Sequence, residues 1–243
     1  MRSVLAFPLA VALATNTLTA RADEPATIDV DGFRPAVVAV PPTGDERPVV
    51  VALHGNYDRP EWQCDVWRGV VGDGAFIVCP RGVPRTDAPK SEDRWTWNGL
   101  QRTDREVAGA LAALQASYGH RVRRAPCVLT GFSLGATLAA RIALRHPERF
   151  TRLVVIEGGA DAWTLANART FASKGGARVL GACGQASCFP TFRNASWAFK
   201  TAGVPFTLVG TRDAGHTYDG TVSSAVADKW GWVVEGDPDF AAR

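Results

Sequence analysis

Gly131-Phe132-Ser133-Leu134-Gly135 lies between an apolar run, Val128-Leu129-Thr130, and an alanine-rich helical segment that ends near Pro147. A G-x-S-x-G pentapeptide set between a strand and a helix reads as a nucleophile elbow. Such a turn holds its serine at positive φ, so the Ser133 hydroxyl projects above the sheet. The flanking glycines answer a packing demand, because a Cβ at either one would collide with the neighbouring strand or helix. Five residues of common type are a weak signal alone. The strand before them and the helix after them are the context the motif requires.

The order of elements around the pentapeptide follows from periodicity. Pro35 to Val40 reads as a strand, ended by Pro41-Pro42 and a turn at Thr43-Gly44-Asp45. Val49 to Leu53 is continuously apolar, the pattern of a strand buried on both faces, and it runs into His54-Gly55-Asn56. Glu61 to Val71 has helical spacing, with Trp62, Val66 and Val70 on one side. Ala75 to Cys79 is a further strand, and a loop rich in Pro, Asp and Trp follows from Val83 to Leu100. The stretch Asp104 to Tyr118 is a helix with Val107, Leu111 and Leu114 on one face. After the strand at 127–132 and a helix over Ala136–Arg145, strands are predicted at Leu153–Ile156, Arg178–Leu180 and Phe206–Val209. A last helix is predicted over Val222–Trp232. This alternation predicts a mostly parallel sheet with helices on both faces. The chain shows no internal repeat.

The N-terminus has the pattern of an export signal. Met1-Arg2 is positive, Val4 to Ala14 is apolar but too short to span a bilayer, and Ala20-Arg21-Ala22 presents small residues where a signal peptidase reads. Residues 1–22 are therefore read as a signal peptide and 23–243 as one domain, whose roughly 220 residues suffice for a single well-buried core. The whole chain has 27 basic and 24 acidic residues, and the leader holds Arg2 and Arg21 with no acid. The mature surface is thus close to neutral with no basic stripe, which argues against nucleic-acid binding. No later stretch is apolar enough to be a membrane span. The five cysteines suit an oxidising, secreted or periplasmic setting. Proximity and topology suggest Cys64 with Cys79 and Cys183 with Cys188, leaving Cys127 over. No C-x-x-C occurs and no zinc spacing is present.

A serine hydroxyl needs a base within hydrogen-bond reach. The four histidines are His54 after a strand, His120 in an Arg-rich loop, His146 before Pro147, and His216 in Ala214-Gly215-His216-Thr217. Only His216 fits the order of an early serine and a late loop histidine. Ser133, His216 and the His54-Gly55 turn all fall at C-terminal strand ends, the edge of a parallel sheet where ligands bind.

On His54-Gly55, Gly131 to Gly135, and Gly215-His216, whose order spans nearly the whole mature chain, the sequence resembles the α/β-hydrolase superfamily. The resemblance implies an eight-stranded, mostly parallel sheet, a serine–histidine–acid triad, and no metal or organic cofactor. It also implies an oxyanion hole built from the backbone N–H of Leu134 and one from the His54-Gly55 loop, assigned to Asn56. His54 itself would shape that loop. Many relatives carry an aspartate after the seventh strand, within Gly-x-x-Asp. Here that stretch is Gly184-Gln185-Ala186-Ser187 and has no carboxylate. A smaller branch, including the pancreatic-type lipases, places the acid after the sixth strand. Glu157 follows Arg152-Leu153-Val154-Val155-Ile156 directly, where a carboxylate is poorly solvated and needs a partner. Glu157 is therefore the expected acid and Asp161 the reserve, while Asp213 and Asp219 stand too near His216 in sequence.

Of the eight tryptophans, Trp95 and Trp97 fall in the loop bordering the active-site edge. They are candidates to stack on a substrate, weighed evenly against simply filling loop and core space. The segment between Glu157 and Arg178 is too short for a large cap domain, so an open cleft for a small-molecule or polymer-linked ester is expected. The reading is a secreted serine hydrolase of carboxylic esters. A peptidase or other acyl hydrolase, or an inactive binding protein on the same scaffold, stays open. Oligomeric state is not encoded in any feature of the sequence.

Overall fold

The structure is a computed structural model that describes residues 25–240 except Thr43, Ala125 and Asp239. The expected signal peptide lies outside the described residues. In chain order the elements are β1 (Ala26–Ile28), β2 (Ala36–Ala39), β3 (Val49–Leu53), α1 (Pro60–Val71), β4 (Phe76–Cys79), β5 (Val83–Pro84), β6 (Trp95–Thr96), α2 (Leu100–Tyr118), β7 (Val128–Phe132), α3 (Leu134–Arg145), β8 (Arg152–Ile156), α4 (Leu165–Ser173), β9 (Arg178–Cys183), α5 (Cys188–Ala202), β10 (Phe206–Gly210) and α6 (Thr221–Val234).

The main sheet has eight strands in the order β1-β2-β4-β3-β7-β8-β9-β10. β1, β2 and β4 pair antiparallel, and every pairing from β4 to β10 is parallel. β3 shows why such a sheet can be buried on both faces. Val49, Val51 and Leu53 join one apolar cluster, with residues of α2, α3, α4 and α5. Val50 and Ala52 alternate into a second, with Cys64 and Trp67 of α1 and Val222, Val226 and Val233 of α6. The result is a three-layer sandwich. β5 and β6 form a separate two-stranded ribbon in the loop above it.

The predicted strands and helices are present, with ends displaced by a few residues. The helix expected from Asp104 begins at Leu100. β1, the β5–β6 ribbon, α4 and α5 are additional. Residues 157–177 hold only a short 3₁₀ turn and α4 between β8 and β9, so there is no large cap domain there. No helix among the described residues is long and apolar enough to cross a membrane.

Two disulfides join Cys64 to Cys79 and Cys183 to Cys188, and Cys127 is a buried thiol in neither. Burial pushes the Cys127 thiol up to about 12, so it stays protonated. The first bridge ties α1 to β4 across a sequence separation of 15, the second spans 5. Chain entropy makes the larger loop the more stabilising, at about 3 kcal/mol against about 2 kcal/mol. Replacing Cys64 and Cys79 by alanine should therefore lower unfolding free energy in urea by about 3 kcal/mol. An unchanged denaturation midpoint would show that this bridge adds nothing.

Candidate active site

The sequence forces the chain into an unusual turn where β7 meets α3. A Cβ on Gly135 would stand 2.3 Å from the carbonyl oxygens of Leu53 and His54, and one on Gly131 would stand 2.5 Å from the Gly135 carbonyl. Only glycine permits that approach. Between them Ser133 has φ 53° and caps α3. A non-glycine residue in so sparsely populated a backbone region is strained by about 1–3 kcal/mol. The strain is held by the neighbouring strand, since Ser133 N donates to Ile156 O at 2.9 Å.

Three side chains from separate segments converge above this edge. His216 Nε2 lies 2.9 Å from Ser133 Oγ, and His216 Nδ1 lies 3.2 Å from Glu157 Oε2. The Glu157 side chain is only 1% exposed, against 46% for His216. Its other contacts balance the desolvated charge. Gly184 N and Gln185 N donate to Oε1 at 2.5 and 2.9 Å, and Gln185 Nε2 donates to Oε2 at 2.7 Å. Glu157 also has positive φ, at 56°. The conformation turns a residue that directly follows a strand back toward the β9 and β10 loops. Phe132 packs its ring on that of His216 at 4.9 Å between centroids, and on Tyr218 at 4.7 Å.

Asp161 is not brought to His216. Its carboxylate is 61% exposed and pairs with Arg141 at 3.1 Å. Asp213 bridges to Gln185 through the backbone, and Asp219 accepts from the Thr217 hydroxyl.

The loop after β3 is held from several sides. Asp58 accepts from Gly55 N at 3.0 Å and from the Tyr218 hydroxyl at 3.1 Å, and burial raises the Tyr218 phenol well above its usual range. His54 is fully buried, with Nδ1 2.7 Å from Gly55 O and Nε2 2.8 Å from Arg81 O. Burial lowers its pKa. With its ring enclosed this way, His54 shapes the loop. Asn56 Oδ1 accepts from Arg85 Nη1 and Thr96 Oγ1, both at 2.7 Å. Leu134 opens α3, and the first N–H groups of a helix have no intrahelical acceptor and face its positive end.

Trp95 and Trp97 do not offer open faces to a substrate. They are 9% and 7% exposed. The Trp97 ring stacks on His54 at 4.5 Å and its Nε1 donates to His54 O at 2.8 Å. Trp95 Nε1 donates to Asp93, and Arg81 covers its ring. Both rings are used to pack the loop. Two residues that sequence reasoning left without a role, Gln185 and Tyr218, belong to the site. Their signal is purely three-dimensional.

A cavity of ≈ 270 Å³ adjoins the cluster, lined by Thr137, Glu157, Asp161, Gln185, Ser187 and Thr191 among others. Its lining mixes the hydroxyl-bearing Thr137, Ser187 and Thr191 with Gly158, Gly159 and Ala160. A larger cavity of ≈ 480 Å³ opens at the opposite edge of the sheet, near Val49, Val122 and Cys127, far from the converged side chains. Among the described residues, the side-chain group close enough to hold a metal is Glu157 with Cys183 and Cys188, and both sulfurs are joined in a disulfide.

No protein-family model matches the chain, and no curated protein sequence matches it. Solved structures do match its shape. The chain is similar to an S-formylglutathione hydrolase from Agrobacterium tumefaciens, with 22% identity over 83% of this chain and 89% of that one, at a TM-score of 0.53. It is also similar to a Bacillus cereus carboxylesterase, with 17% identity over 84% and 94% and a TM-score of 0.58. A third match is an acylaminoacyl peptidase from Pyrococcus horikoshii, with 13% identity over 86% of this chain and 40% of that one, and a TM-score of 0.56. The fold of this chain is the α/β-hydrolase fold.

Glu157→Gln isolates the carboxylate. The amide keeps the shape but loses the charge, and it sets an NH₂ group against N–H donors. If Glu157 serves His216, turnover of an ester substrate should fall by about three to four powers of ten with the fold retained. Near-normal turnover would remove Glu157 from the relay.

Proposed function

We propose that this protein is an exported serine hydrolase of carboxylic esters. The observation that carries the reading is the hydrogen-bonded chain Ser133–His216–Glu157, set at the C-terminal edge of the sheet with Ser133 at positive φ. Structures named as esterases and hydrolases share the fold, which is consistent with this reading. The two disulfides and the apolar leader read from residues 1–22 favour secretion or a periplasm.

In this mechanism Ser133 Oγ attacks the ester carbonyl carbon while His216 Nε2 takes its proton. Glu157 holds Nδ1–H and stabilises the imidazolium that forms. The tetrahedral oxyanion accepts from the backbone N–H groups of Leu134 and Asn56. Each such donor is worth about two to three powers of ten in rate. His216 then protonates the leaving alcohol, and water repeats the sequence on the acyl-enzyme. No step calls for a metal or organic cofactor.

The match to an acylaminoacyl peptidase keeps amide hydrolysis as a second reading, because the same relay serves both bonds. Hydrolysis of p-nitrophenyl acetate and butyrate, beside a peptide anilide, separates the two. Wild-type protein should cleave the esters, and Ser133→Ala should lose about four to six powers of ten in kcat. Faster anilide cleavage would favour the peptidase. A folded protein that neither turns over esters nor reacts with a fluorophosphonate would be a binding protein instead.

A further inference from the structure

Gln185 stands between the two partners of the relay. Its Nε2 lies 2.7 Å from Glu157 Oε2 and 3.1 Å from His216 Nδ1, while the His216–Glu157 contact is the longest side of this triangle at 3.2 Å. These contacts compete. An amide nitrogen only donates. With the proton on Nδ1, as proton transfer from Ser133 requires, Nδ1–H and the Gln185 NH₂ both point at Oε2 and face each other as donors. With Nδ1 bare, Gln185 donates to it, and the ring proton sits on Nε2 against Ser133 Oγ, where it blocks general-base action. Turning the amide over does not resolve the conflict, since its oxygen would then oppose an ionised carboxylate oxygen at 2.7 Å.

We propose that Gln185 is a positioning residue that shares Glu157 Oε2 with His216 and so sets how firmly the relay keeps its proton on Nδ1. This rests on the serine-hydrolase reading above. The residue is well placed for such a task. Its own backbone N–H and that of Gly184 hold Oε1 of the same carboxylate, the Cys183–Cys188 disulfide closes its loop, and Gly215 N donates to Gly184 O at 2.9 Å. The carboxylate thus stays in place when only the carboxamide is changed. Around the His216 ring, Phe132 and Ser133 are uncharged and Glu157 is the carboxylate in contact. The charged groups on its own loop are Arg212, Asp213 and Asp219, with the Tyr218 phenol held by Asp58.

Each donor on a carboxylate weakens its pull on the next. Gln185→Met removes the carboxamide at similar length and releases Oε2 to Nδ1–H. The acid limb of the pH–kcat/KM profile should then move up by about one pH unit. The low-field ¹H resonance of His216 Nδ1–H should move further downfield. Gln185→Leu removes the carboxamide with a different apolar side chain and should move the limb and the resonance in the same direction. A loop role alone would lower stability and leave both readouts where they are. Limb and resonance unmoved in both folded variants would overturn the proposal. The resonance can be read without turnover. A resonance that shifts as expected in a protein with no Ser133-dependent activity would therefore sink the hydrolase reading and leave the Gln185 contact standing.

Discussion

A carboxylate with almost no exposed surface must find its solvation within the protein, and Glu157 finds it in two loops at once. Two backbone N–H groups and a carboxamide come from the segment after β9, and an imidazole comes from the segment after β10. The same residue directly follows β8, with its own N–H bonded to Ala182 O of β9. Three strand ends are therefore fastened to one charge. Its positive φ costs about 1–3 kcal/mol. Charge-assisted hydrogen bonds, each roughly twice as strong as a neutral one, offset that cost. Strain at Ser133 and Glu157 persists because the sheet register on either side leaves the chain no relaxed path between its fixed points.

Much of this was legible in the sequence because the physical demands act locally. Close approach of backbone to backbone requires glycine at 131 and 135, and a strand covered on both faces must be apolar throughout, as Val49–Leu53 is. The position of Glu157 directly after such a strand already implied a partner. The elements that escaped have weak local signatures. α5 opens Cys188-Phe189-Pro190, and a proline that reads as a breaker is tolerated in a helix's first turn. α4 carries Asn167, Thr170 and Ser173, residues of middling helix propensity, and owes its helix to packing Ala168 and Phe171 into the core. β1 has three residues and the β5–β6 ribbon two per strand, too short for any period.

Side-chain direction was the other limit. Trp95 and Trp97 sit in the right loop, but sequence distance does not say whether an indole faces outward or under its own backbone. Here the His54 ring and carbonyl take Trp97, and the loop closes over both. Gln185 shows the converse. A neutral residue in a stretch notable for lacking an acid is the one whose carboxamide touches both Glu157 and His216.

The loop carrying Asn56 is also fastened from outside. Arg59 lies over Trp62 at 5.6 Å, Arg94 over Trp62 at 4.7 Å and Tyr57 at 5.5 Å, and Arg85 over Tyr57 at 5.6 Å, so cations and rings alternate across α1, the β3–α1 loop and the ribbon. Each contact is worth about 0.5–1 kcal/mol at such exposure. Their carboxylate partners, Asp93, Glu92 and Asp87, come from the same ribbon loop and cancel the charge locally. The last guanidinium, Arg85, donates to Asn56 Oδ1. From beneath, Asp58 binds Gly55 N and Tyr218. If the Asn56 N–H serves as the proposed oxyanion donor, a loop clamped on both sides needs no reordering as the oxyanion develops, which is the condition under which backbone N–H groups stabilise it most. Under the proposed mechanism, the aromatic and arginine side chains at this rim would act through rigidity, without having to touch the substrate.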